Sequence, residues 1–411
     1  MTAQAHPDSL DAERPGTESE TTRLPFSLPP WAVVLVRVVL ILIIFGELYV
    51  TATVQLPGLM HPTDLGTDTS NYYAAGQRLN AGHDLYGPLL PTDRPVPGYP
   101  KLYPAPILSP PLSAVMWRPL AALGDVSMTI WWAVDLGLVV ILAVWFAIVG
   151  RRWTLGGLAV ILALGLPIAW VLAIRYRYLG YHSPISIAAL SGNLNGFITG
   201  LCVLAWWASS RGRPWLAGAA AGFAAMLKLG PFALVWWLVV RRDWPAVKAF
   251  AATVVVLGIV GVVGAGFDAN LAFARLTLSA GVSPSSLSVA WILHTRLGLD
   301  PHLANLGTMV TTIVGLALVY ATRRQARVSF LLTILVVIYC SPVVLVGNFA
   351  LLLAAVAPWV VPDRIGTPDR LGAVAGRERA PARDMATRRG TAAGDPSTAA
   401  VDRGTGAPTW S

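Results

Sequence analysis

Long apolar runs separated by short, arginine-bearing turns dominate the chain. Runs near 31–53, 128–149, 247–267, 304–322 and 328–361 are each long enough to cross a bilayer core, which takes roughly 20 helical residues. The alternating segments of about ten residues that mark a membrane β-barrel do not occur. The pattern predicts an all-α polytopic membrane protein with about nine to eleven transmembrane helices. The first run follows a polar stretch, residues 1–30, and lacks a small-residue cleavage site. It reads as a retained helix and not as a signal peptide.

Three stretches depart from simple spans. The segment 215–240, WLAGAAAGFAAMLKLGPFALVWWLVV, carries Lys228 in its middle and Gly230-Pro231 just after. Basic pairs flank it on both sides, so the expected form is a hairpin of two half-helices broken at Lys228. Irregular backbone of that kind is tolerated where it lines a polar cavity. The segment 105–123, APILSPPLSAVMWRPLAAL, reads equally as a span or as a re-entrant piece. Between the first two long runs, Tyr72, Ala75 and Leu79 recur at helical spacing and Gly82 supplies a stop. That spacing predicts a short interfacial helix over 70–81, with Asp68 just ahead of it at a capping position.

Composition agrees. Of 411 residues, 55% are hydrophobic and 12% charged, half of the roughly 25% charge usual in soluble domains. The net charge of +9 does not point to nucleic acid. Arg151-Arg152, Arg211 and Arg213, Arg241-Arg242, and Arg323-Arg324 with Arg327 fall at helix ends, where the positive-inside rule accounts for them. Neighbouring tryptophans fit interfacial anchoring. Cys202 and Cys340 lie inside apolar stretches and the histidines show no ligand spacing. Neither a disulfide framework nor a metal site is expected. The expected organisation is a disordered cytoplasmic segment over 1–30, a transmembrane domain over 31–361 and a disordered cytoplasmic tail over 362–411. No internal repeat suggests the doubled halves of many transporters.

With the basic turns inside, polar residues gather outside. The first extracytoplasmic loop, 54–104, offers Asp64, Asp68, Arg78, Asp84, Asp93 and Lys101. A loop over 175–195 ends in Gly192, Asn193 and Asn195, another over 283–298 holds Arg296, and an outer turn near the end holds Ser341-Pro342 and Asn348. Lys228 is the sharpest anomaly, since a central ionisable group costs about 2.5–3.5 kcal/mol on insertion scales. It either snorkels to the interface or holds an anion such as a phosphate. Arg296 has the same two readings. Asp68 can cap a helix or do chemistry, and the roles are compatible. Asn193 and Asn195 can cap or bind, Tyr103-Pro104 can simply introduce a helix, and Asp64 can simply form a turn.

These residues together resemble the polyprenyl-phosphate-sugar-dependent glycosyltransferases of the GT-C fold, specifically the family 87 mannosyltransferases (the DUF2029 group) of actinobacteria. The resemblance is carried by Asp68 with Tyr72 four positions on, then Ala75, then Ala81-Gly82 leading to Leu85-Tyr86. It continues in Tyr103-Pro104-Ala105-Pro106, in Gly192-Asn193-Leu194-Asn195, in Gly218 and Gly222 followed by Lys228 and Pro231, and in Ser341-Pro342. Together these cover about residues 40–350. Asn193 stands where the pattern has Gln, Ala105 where it has a second Pro, and Gly347-Asn348 where many members carry a His pair.

The resemblance implies a GT-C-like bundle in the plasma membrane with an extracytoplasmic active site. It implies an inverting transfer of mannose from a polyprenyl-phosphate donor to a lipid-anchored glycan, with no further cofactor. Asp68 would be the base and Lys228, aided by Arg296, the contact for the donor phosphate. Asn193, Asn195, Tyr72 and Tyr103 would touch the sugar or donor, with Asp64 and Asn348 as further candidates. Other readings are an arabinofuranosyltransferase using a polyprenyl-phosphate pentose, a glycolipid transporter or flippase, and an inactive relative acting as a scaffold. Lys228, nearly alone as a buried ion in this reading, speaks against a charged path through the membrane.

Overall fold

The computed structural model describes residues 67–87, 109–124, 126–149, 191–279, 287–339, 341 and 344–360. All of them fall in one compact unit, Met1–Asp363; the other unit, Arg364–Ser411, lies outside the described residues. So do the first apolar run, the 1–30 segment, Asp64 and Tyr103. Every regular element among the described residues is helical.

The chain enters as α1, Thr67–Asn80, and turns at Gly82, whose φ of 71° is the left-handed conformation that ends helices. Asp68 therefore lies within the first turn of α1 and not ahead of it, because the helix begins three residues earlier than its apolar spacing suggests. Next come α2, Pro111–Ala121, and α3, Val126–Val149. At eleven residues α2 rises about 16 Å, half of a hydrocarbon core, so this helix alone does not cross. Prolines at its start and at position 119 keep it short, and Arg118 fastens it. The guanidinium donates to Asn80 Oδ1 at 3.0 Å and to the Gly264 carbonyl at 3.0 Å.

After the 151–190 stretch, which lies outside the described residues, α4, Asn195–Ser210, runs to Arg211 and α5, Pro214–Leu227, runs back. The helix breaks at Lys228, whose backbone is extended at φ −156° and ψ 140°. A short 3-10 turn, Gly230–Phe232, leads into α6, Ala233–Val240. Trp237 on α6 packs on Trp206 near the end of α4, with ring centroids 6.0 Å apart. The second half-helix thus returns to the end from which the first started, and 215–240 is the broken hairpin its flanking arginines predict. Proline at 231 cannot donate to a helical ladder, and that weakens any continuous path through this point.

Then α7, Trp244–Ala265, and α8, Phe267–Ser279, are followed by α9, Val289–Leu297, and α10, Pro301–Ala321. The chain closes with α11, Ala326–Tyr339, a 3-10 turn over Val346–Leu351 and α12, Leu352–Val360. Among the described residues α7 and α10 are the two helices long and apolar enough to cross a membrane. Their outward faces stay bare of protein: Val263 is 80% exposed and Ile313 64%. Such faces suit lipid, not water.

The arginine-bearing turns share one end of the bundle. Arg211 and Arg213 stack over Trp207, Arg241 over Trp237, and Phe330, at the start of α11, packs on both Trp206 and Trp237. At the opposite end, α7 finishes against α2 through Gly264 and Arg118. With 22 residues, α7 rises about 33 Å, so the two ends are one membrane thickness apart.

The α5–α7 contact is close because Gly218 and Gly222 carry no side chain. A Cβ on Gly222 would meet the Phe250 carbonyl at 2.9 Å and Thr253 Cβ at 3.0 Å, whereas Gly258 on the bare face of α7 has nothing within 4 Å. Gly222→Leu is expected to destabilise the folded chain by about 1–3 kcal/mol through overpacking, while Gly258→Leu leaves it within about 0.5 kcal/mol. Thermal unfolding of both variants in detergent checks this; equal effects contradict the packing.

Candidate active site

The turn that begins α4 sets the geometry. Gly192 has φ of 63°, and a Cβ there would collide with the Thr69 side chain and approach Trp131 at 3.2 Å. Glycine is needed twice over: for the backbone and for the close approach of α1. Asn193 follows. Its Oδ1 accepts from the Asn195 backbone N–H at 2.9 Å, a local cap that satisfies a donor at the helix start. With its carbonyl so engaged, its amide nitrogen is turned toward α1 and donates to Asp68 Oδ2 at 2.7 Å. Such a bond to an ionised acceptor is roughly twice as strong as a neutral one.

Three further contacts hold α1 to this turn. Thr69 Oγ1 donates to the Ser191 carbonyl at 3.2 Å, and Trp131 Nε1 to the Gly192 carbonyl at 2.9 Å. The Tyr72 hydroxyl lies against Ser109 and the Leu194 backbone. Beneath them a ladder of rings joins four helices. Tyr72 stacks on Trp117 at 6.1 Å, Trp117 on Trp131 at 5.0 Å and Trp131 on Phe197 at 5.0 Å. Each such pair adds about 0.5–1.5 kcal/mol beyond its buried area.

Lys228 reaches the same turn from the hairpin break. Its Nζ donates to Asn195 Oδ1 at 3.1 Å and to Asn348 Oδ1 at 3.0 Å. Asn195 Nδ2 also donates to Asn348 Oδ1, at 2.9 Å, closing a three-membered ring of contacts. Asn195 is fully buried and Asn348 nearly so, at 3% exposure. An ammonium has three donors and no acceptor; two are engaged here, and both partners are neutral. No carboxylate among the described residues touches Lys228; Asp68 acts on it through its charge without direct contact.

Asp68, Asn193, Asn195, Lys228 and Asn348 therefore form one connected polar cluster at the end of the bundle away from the arginine turns. Burial pushes the Asp68 carboxyl above its ordinary value of 3.8, against the opposing pull of the Asn193 hydrogen bond, the Lys228 charge and Ser191. The arrangement offers a strengthened carboxylate base and a fixed positive charge, joined through asparagines. Arg296 stands apart, exposed in the last turn of α9, and no hydrogen bond ties it to the cluster. Tyr103 and Asp64 lie outside the described residues. Among the described residues no group of three or more His, Cys, Asp or Glu side chains could hold a metal ion.

Sequence reasoning gave Thr69 no role, although it faces Gly192 across the α1–α4 contact. It also passed over Asp135, a second ionisable group in an otherwise apolar helix and the same kind of signal that singled out Lys228. The central part in this ring of Asn348, noted only as a further candidate, could not be read because its partners are 120 and 153 positions away.

A family model, glycosyltransferase family 87, matches residues 108–346, more than half of the chain. The match takes in Asn193, Asn195, Lys228 and Arg296; Asp68 precedes it and Asn348 lies just beyond its end, and both join the matched part through their hydrogen bonds. No curated protein and no solved structure matches the chain.

Because Asn195 and Asn348 share one lysine, Asn195→Ala and Asn348→Ala are expected each to lower the thermal midpoint in detergent, and to lower it together by less than the sum. Residues in one network show coupling energies of about 0.5–3 kcal/mol. Strictly additive losses contradict the shared ring.

Proposed function

Given that the chain belongs to glycosyltransferase family 87, we propose that it moves mannose from a polyprenyl-phosphate donor to a lipid-anchored glycan, at the outer face of the plasma membrane. The observation that carries this reading is the state of Lys228. An ammonium embedded at the end of the bundle, gripped by two amide oxygens and in direct contact with no carboxylate among the described residues, is suited to an anion that arrives from the lipid phase. A sugar-bearing polyprenyl phosphate is such an anion.

In this reading the chain is a GT-C-like bundle of about nine to eleven spans. The arginine turns lie in the cytoplasm by the positive-inside rule, and the Asp68–Lys228 cluster faces outward. The donor phosphate sits on Lys228. The acceptor hydroxyl attacks the anomeric carbon as its proton passes to Asp68 Oδ1 or Oδ2, the bond from that carbon to the phosphate oxygen breaks, and the electron pair leaves with the phosphate. Attack from the side opposite the leaving group inverts the anomeric centre. Lys228 stabilises charge as it grows on the phosphate, the kind of term that usually contributes most. It supplies there the positive charge that a metal ion supplies in other transferases, and no cofactor beyond the donor is invoked. Asn193 orients Asp68, while Asn195 and Asn348 orient Lys228. Tyr72 and Tyr103 border the sugar, with Arg296 as a second contact for the donor phosphate and Asp64 as a further candidate.

Two measurements test this on membranes given labelled polyprenyl-phosphate mannose. Asp68→Asn keeps the shape and removes the base, and is expected to lower the transfer rate by about 10²–10⁴-fold; full turnover overturns the role. Lys228→Ala is expected to raise the donor KM, and an unchanged KM overturns the phosphate contact. Transfer of a pentose and not mannose from the matching donors would leave the chemistry standing and change the sugar.

The sign of the pH dependence also follows. Asp68 acts only when ionised, so the rate falls as pH drops through its folded value, which lies above 3.8. Asn193→Ala removes a hydrogen bond that favours the ionised form, and is expected to move the acid limb of the rate profile to higher pH. A shift to lower pH, or none, contradicts the contact.

A further inference from the structure

Asp135 is the only charged residue in α3 and is fully buried, at 0% exposure. Neither of its carboxyl oxygens has a hydrogen-bond partner. Its Oδ1 is pressed into the first turn of α4, where a Cβ on Gly196 would come within 2.6 Å of it. Trp131, one turn earlier on α3, is tied to the Gly192 carbonyl at the opening of the same turn.

Among the described residues three helices pack against α3, namely α1, α4 and, through Trp117 on Trp131, α2. The ionisable side chains they carry are Asp68, Tyr72, Tyr73, Arg78, Arg118 and Cys202. All but two are acids. Arg78 sits at the far end of α1 with its guanidinium on the Gly87 carbonyl at 3.1 Å, and Arg118 is engaged by Asn80 Oδ1 and the Gly264 carbonyl. Lys228 is engaged by Asn195 and Asn348. Among the described residues, then, neither arginine is bonded to Asp135, and no donor reaches its carboxyl oxygens.

An ionised carboxylate without a partner is among the least tolerated groups in apolar surroundings, whereas a carboxylic acid is uncharged and packs there at far smaller penalty. We propose that Asp135 is a proton-binding site, held as the neutral acid against Gly196, and that its proton is what lets α3 close onto the start of α4. Loss of that proton to water leaves a charge with no hydrogen-bond donor on it among the described residues, which draws water between the helices and loosens the turn that carries Asn193 and Asn195. The site is separate from the transfer chemistry, since Asp135 takes no part in the Asp68–Lys228 cluster. Gly196 has its own reason to be glycine here: any side chain would expel the acid from its seat.

The test is infrared difference spectroscopy of the full chain in lipid nanodiscs at neutral pH, wild type minus Asp135→Asn. The expected result is loss of a protonated-carboxyl C=O stretch that shifts down in heavy water. Loss of a carboxylate antisymmetric stretch instead overturns the proposal. If Asp135→Asn does not fold, Asp135→Glu is read in the same way: a displaced C=O band supports the neutral acid, and a displaced carboxylate band overturns it. Neither reading depends on the sugar or on any activity.

Discussion

A single ammonium must be kept charged and fixed where the bundle has little water to offer, and much of the local structure answers that requirement. Pairing Lys228 with a carboxylate would cancel the charge, and leaving it bare would incur the full desolvation penalty of a buried ion. Two asparagine carbonyls take two of its three donors and hold it without a direct ion pair. To bring those carbonyls together the chain needs a helix that stops at 228, a second that starts at 195 and a 3-10 turn that delivers 348. Each break in regular structure sits where a polar atom is wanted.

The same turn at 192–195 holds Asp68, the proposed base. Asn193 divides its amide, with the carbonyl capping α4 and the nitrogen held on Asp68. The carboxylate and the ammonium are therefore positioned by adjacent residues of one rigid turn, and the ladder from Tyr72 to Phe197 backs that turn with four packed rings. A small displacement of α1 would be felt at both charges. Membership of a sugar-transferring family gives that geometry its chemical meaning.

Much of this was legible in the residues. The hairpin break could be read from Lys228, Gly230 and Pro231 with basic flanks, and the short helix before Gly82 from the spacing of Tyr72, Ala75 and Leu79. The boundary at Asp68 was misplaced because Thr67 and Asp68 themselves join the helix, and a polar first turn carries no apolar period. The ambiguity over 105–123 arose from composition alone. Only the length of α2 and its fastening through Arg118 to Asn80 and Gly264 show how short that helix is. Asn348 and Thr69 could not have been ranked, since nothing local distinguishes a buried asparagine that accepts from a lysine from one that merely ends a turn. Asp135 was legible by the rule applied to Lys228 and was passed over inside a long apolar run.

The most direct test of the central claim is a structure of the full chain in lipid with a non-transferable polyprenyl-phosphate sugar bound. The account places the phosphate on Lys228 Nζ, with Asn195 and Asn348 still holding the lysine and the anomeric carbon on the side that Asp68 can reach through the acceptor hydroxyl. A phosphate seated elsewhere, with Lys228 still closed on its two asparagines, would contradict it.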